Sequence, residues 1–96
     1  MSNNDSEQVT VAIPEPLREI IGGHRELTAA PGTVADVLVQ LTEQYPELGP
    51  VLVTESGRLA DATVLAVDGE DIRFADGLDT PVRAGQTLVI VQTLAI

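Results

Sequence analysis

The segment Thr33–Pro46 (TVADVLVQLTEQYP) decides the architecture, because it carries the clearest helical periodicity in the chain. Val34, Val37, Leu38 and Leu41 fall on one stripe of a 3.6-residue repeat, and Tyr45 closes it. Thr33 can accept the N–H of the third helical residue. Asp36 stands at that position as in a capping box, one methylene shorter than the usual Glu. Pro46 stops the helix, since the residue before a proline avoids the helical region. One helix with one apolar stripe needs a flat apolar partner, and the rest of the chain supplies it.

Upstream, Val9–Ile13 (VTVAI) alternates with period two: Val9, Val11 and Ile13 on one face, Thr10 and Ala12 on the other. Pro14 and Pro16 end that strand, and Leu17, Ile20 and Ile21 have helical spacing over too few residues for more than a turn. After Gly22-Gly23, His24–Ala29 reads as a second strand, pairing with the first through an elaborated loop. Downstream, Pro46–Val53 reads as a short helical turn. Thr63–Val67 (TVLAV) is a strand, Asp68-Gly69 a tight turn, and Glu70–Phe74 (EDIRF) pairs back. Ala75–Arg83 is a loop, Ala84-Gly85 a turn, and Thr87–Thr93 (TLVIVQT) a last strand apolar enough to be central. The first and last strands should both lie mid-sheet. The expectation is an α+β domain of the β-grasp, or ubiquitin-like, class: a mixed four- to five-stranded sheet with one main helix across it. Residues 1–8 (MSNNDSEQ) read as a disordered tail, and 9–96 as a single domain ending in a short C-terminal tail. The expected core is Val11, Ile13, Val34, Leu38, Leu41, Val67, Leu88 and Ile90.

Composition narrows the function. The chain of 96 residues has fifteen Asp and Glu, five basic residues, all of them Arg, and a net charge of −10. Such a surface repels a phosphate backbone and favours basic partners. With no Cys, disulfides, thiolate metal sites and thiol catalysis are excluded. No apolar run approaches the roughly 20 residues of a membrane helix, and the polar start does not resemble a secretory signal. The cytoplasm is the default location.

Asp68–Val82 (DGEDIRFADGLDTPV), followed by Ala84–Val91 (AGQTLVIV), resembles the C-terminal half of the MoaD/ThiS small sulfur carriers. The front half agrees: Pro14–Gly23 (PEPLREIIGG), Gly32-Thr33-Val34 opening the helix, and Tyr45-Pro46-Glu47-Leu48 closing it. The resemblance spans roughly Val9 to Ala95 and is strongest to the molybdopterin-synthase type and its cysteine-biosynthesis relatives. It implies a carrier, not an enzyme, with no cofactor of its own. An adenylating enzyme of the MoeB/ThiF kind activates the terminal carboxylate of a Gly-Gly tail, and a sulfur donor converts it to a thiocarboxylate. An acceptor such as a molybdopterin-synthase large subunit then takes the sulfur. The missing Cβ atoms let that tail thread a narrow channel.

The tail departs from the pattern. Leu94-Ala95 matches the apolar segment before the glycines, and β-branched Ile96 stands where the first Gly belongs. A chain ending at Ile96 is expected not to accept sulfur. Either carrier chemistry has been lost, leaving a β-grasp module that binds proteins, or the natural terminus lies elsewhere. Docking is expected on the side of the last strand facing away from the core, at Val89 and Val91, with Leu94 on the tail.

Other groups read as bland. Asp68, Glu70, Asp71, Asp76 and Asp79 lack the spacing of a calcium loop and form a solvated acidic edge. His24 is an exposed turn residue, Gly22-Gly23 a device for positive φ, and Glu15 and Glu19 are not a hydrolase pair. Ser56 has no base in its sequence context.

Overall fold

The computed structural model describes residues 7–52 and 63–92. Strands β1 (Val9–Ala12) and β2 (Glu26–Ala29) flank the short helix α1 (Glu15–Arg18). A two-residue strand β3 (Gly32–Thr33) leads into the main helix α2 (Val34–Gln44). A 3-10 turn at Pro46–Leu48 and the short helix α3 (Gly49–Leu52) follow. Strands β4 (Thr63–Val67) and β5 (Glu70–Asp71) form a hairpin, β6 (Pro81–Val82) is another two-residue strand, and β7 (Thr87–Gln92) comes last. The main sheet runs β2-β1-β7-β4-β5, with β1 and β7 parallel at its centre and the other neighbours antiparallel. Both apolar strands therefore sit mid-sheet, and the fold is the β-grasp that the sequence pattern implies.

The helix forms where its stripe and cap require. The Thr33 side chain accepts from Asp36 N–H at 3.2 Å, and the Asp36 carboxylate accepts from Thr33 N–H at 3.0 Å. Two otherwise orphaned donors are thus satisfied reciprocally. Val34, Val37, Leu38 and Leu41 are buried against the sheet. The row Leu27–Val11–Leu88–Val67 crosses the sheet's inner face in register, and Leu65 and Ile90 pair one step along. All eight expected core residues are buried, together with Leu17, Ile21, Leu48, Leu52 and Ile72 from the connecting turns. Each such side chain contributes about 1.5–3 kcal/mol on burial.

Four local expectations are corrected. Only Glu70–Asp71 pairs back on β4, because Asp71 caps a 3-10 turn that carries Ile72–Phe74 off the sheet. The stretch read as a loop from Ala75 to Arg83 contains a 3-10 turn, Gly77–Asp79, and β6. β6 pairs with β3, at residues read only as the opening of the helix, and brackets the helix N-terminus through Val34 N–H donating to Thr80 O at 2.9 Å. Gln8, read as tail, accepts from Gly85 N–H at 2.9 Å.

The tight turn Asp68-Gly69 has positive φ at both residues, 48° and 89°. The Asp68 carboxylate accepts from Thr87 N–H at 2.9 Å and from the Gln86 side chain at 3.1 Å, tying the hairpin to the start of β7. At the opposite edge, the Gln40 amide pairs with both the N–H and the C=O of Ala30, at 2.7 and 3.0 Å. That pairing closes the end of an otherwise open strand edge.

Candidate docking face

The single main helix covers one side of the sheet. On the other side the register builds a row Glu26–Ala12–Val89–Ala66–Asp71 across all five strands. Val64 pairs with Val91 beside it, and Thr28, Thr10 and Thr87 form the row on the opposite side. Ala12, Val64, Ala66 and Val89 are half-buried by their own neighbours, while Val91 is 43% exposed. The centre is thus apolar, shallow and smooth, since alanines flank Val89 on both sides. Ala12, Val64, Ala66 and Val89 keep part of their surface open to solvent there.

The two ends of the central row differ in charge. Glu26 is exposed on β2. On β5, Asp71 is gripped by Arg73: Nε donates to both carboxylate oxygens at 3.1 Å, and a terminal nitrogen donates to one at 2.7 Å. That guanidinium holds the Asp71 carboxyl below its ordinary range, and the carboxylate raises the arginine in turn. Asp71 also accepts from Arg73 N–H at 2.8 Å, so the residue is a turn cap first.

Val89 and Val91 therefore lie on the outward face, as their alternation with Leu88 and Ile90 requires. Leu94, Ala95 and Ile96 lie outside the described residues. Sequence reasoning did not name Ala12, Val64 and Ala66 for this face. The signal was present in the period-two pattern of VTVAI and TVLAV, but pairing register is needed to bring those residues beside Val89. His24 is exposed, and Gly22 and Gly23 have φ of 79° and 88°. Of the acidic group, Asp68 and Asp71 serve turns, while Glu70, Asp76 and Asp79 are exposed.

A model of the ThiS family matches residues 11–95. The chain belongs to the ThiS family. Among ThiS-family relatives, the sulfur carrier protein CysO of Mycobacterium tuberculosis is 33% identical over 89 residues, covering 91% of this chain and 96% of the relative. In the BexX/CysO complex of Amycolatopsis orientalis, the matching chain is 33% identical with a TM-score of 0.84, covering 92% of this chain and 98% of that one. Small archaeal modifier protein 1 of Methanosarcina acetivorans is 28% identical with a TM-score of 0.81, over 93% and 95% of the two chains. These ThiS-family relatives are carrier or modifier proteins rather than enzymes, and CysO forms a complex with another protein.

Proposed function

We propose that this chain is a ubiquitin-like member of the sulfur-carrier class that works by docking on enzymes, with the outer sheet face as its seat. The observation carrying this reading is the row Ala12–Val89–Ala66, apolar and uncovered by the helix, on a chain of the ThiS family. A small apolar patch with polar rims is what a protein partner recognises. The partners are an adenylating enzyme of the MoeB/ThiF kind and a sulfur acceptor, and the pathway is sulfur delivery for cysteine or cofactor synthesis, the acceptor being of the molybdopterin-synthase large-subunit kind in the cofactor case. The likeness to CysO supports the cysteine branch of that reading. The cytoplasm, where such enzymes and their ATP reside, is the proposed location.

The test is a titration of the purified adenylating enzyme with the wild-type chain and Val89→Asp. An unpaired charge at the centre of the seat should weaken binding about 30-fold or more, the scale of an interface hot spot. Unchanged affinity would remove this face from the reading.

Were Ile96 the terminus of the protein, a second reading would hold, a docking module without thiocarboxylate chemistry, because the resemblance places the first Gly of the carrier tail at that position. Near-attack geometry at the terminal carboxylate needs the space a Cβ fills. With activating enzyme, ATP and a sulfur source, a chain ending at Ile96 should gain no mass. Ile96→Gly with one further Gly appended should gain the mass of one oxygen-to-sulfur exchange. Sulfur on the unaltered chain would restore full carrier chemistry, and none on the diglycine variant would favour the docking module.

A further inference from the structure

The single Phe of the chain, Phe74, is 82% exposed. It is not on a loose loop. The turn that carries it is capped by Asp71, closed by Ala75 N–H donating to Ile72 O at 3.0 Å, and anchored in the core by Ile72, which is 1% exposed. The ring is therefore held out in water by a preorganised turn, and only its two side-chain torsions would be lost on contact. Its neighbour Arg73 cannot serve as its cation while the guanidinium is forked onto Asp71. Glu70, Asp76 and Asp79 are exposed around the turn, and the sole ion pair among the described residues is Asp71 with Arg73.

An aromatic face set among uncompensated carboxylates attracts a cationic side chain twice: by its ring quadrupole and by the charges beside it. The same charge excludes other occupants. A second copy of a chain carrying −10 is repelled, and so is nucleic acid. Position links the ring to the docking face. Asp71, which caps the turn, ends the row through Val89, two strands away, or about 10 Å at the usual strand spacing. A standard interface covers about 800 Å² on each partner, a disc of about 16 Å radius. A partner seated over Val89 with that footprint extends past β5, the strand that leads directly into the turn.

We infer that Phe74 is a second anchor of the docking surface, stacking under an Arg or Lys of the adenylating enzyme whose charge is met by Glu70, Asp76 and Asp79. This rests on the docking reading proposed above. The test is calorimetric titration of that purified enzyme with wild type, Phe74→Ser, Phe74→Tyr and Val89→Asp, each checked by its thermal midpoint. Phe74→Ser should keep the midpoint and weaken binding about tenfold or more, while Phe74→Tyr, which keeps the ring face, should stay within about threefold. Wild-type affinity in Phe74→Ser overturns the anchor whatever Val89→Asp does, and Val89→Asp alone decides the sheet face. Equal loss in Ser and Tyr variants overturns the stacking, a drop in midpoint in Phe74→Ser makes the ring structural, and an enzyme that does not bind wild type overturns the partner.

Discussion

Leu88 and Ile90 on β7 point into the core and are almost wholly buried, whereas Val89 and Val91, of the same chemistry on the same strand, point away from the helix and form the proposed docking seat. The strand is equally apolar on both faces, so its hydrophobicity does not say which face is core. The number of covering layers does. One helix can cover one face, and the stripe Val34, Val37, Leu38 and Leu41 is used up on Leu88 and Ile90's side. What remains on the other side is apolar surface that its own neighbours only half bury, which is the surface proposed for a partner.

Substitutions on alternate residues of β7 separate the two faces. Leu88→Asp places a charge in a dry interior and should cost about 4 kcal/mol or more, enough to unfold a domain of this size in the absence of denaturant. Val89→Asp, one residue away, should cost about 1 kcal/mol and leave a cooperative urea transition. If the two midpoints fall together, the faces are not distinct. Ile90→Ala should lower stability by about 2–5 kcal/mol through the lost contacts and the cavity left behind, and Val91→Ala by under about 1 kcal/mol. Equal costs would mean that the register of β7 is wrong by one residue.

The smallest effect belongs to the β5 end of the outer row. The Asp71 carboxyl is held below its ordinary range by Arg73, so whatever the pair contributes is complete above that ordinary range and disappears as pH falls through the lowered value. The pair lies at the surface, with Asp71 half-buried and Arg73 exposed, so Asp71→Asn should leave the urea midpoint at neutral pH nearly unchanged. NMR titration of Asp71 should show the lowered value, and loss of that shift in Arg73→Ala would identify its source.

Legibility followed the range of the interactions. The cap formed by Thr33 and Asp36 was readable because both halves lie within one turn of each other. The tight turn at Asp68-Gly69 was readable for the same reason, and the central place of β7 from its unbroken run TLVIV. The pair β3 and β6 was not: two residues on each side, one of them Pro81, carry no strand pattern, and their pairing joins segments far apart in the chain. Leu48 and Leu52 sit in short turns where no period can develop, so their burial had no sequence signature. The proposed docking face was half visible. Val89 and Val91 follow from alternation, but Ala12 and Ala66 become their neighbours only through register, and Phe74 was taken into a strand that ends three residues earlier.

Because Thr10 pairs with Thr87, the middle of the sheet cannot close until synthesis has passed Gln92. The hairpin of β1 with β2 and the helix α2 leave the ribosome first, and β1 then waits with its inner edge unfilled. The β4–β5 hairpin arrives next with a second open edge facing the same vacancy. At about 5–20 residues per second the stretch from Asp71 to Gln92 takes about 1–4 s, so both edges are exposed together for about that long in every nascent molecule. On a polysome, neighbouring nascent chains at that stage offer each other matching edges. Fifteen carboxylates against five guanidinium groups keep those neighbours apart by repulsion until each chain delivers its own last strand.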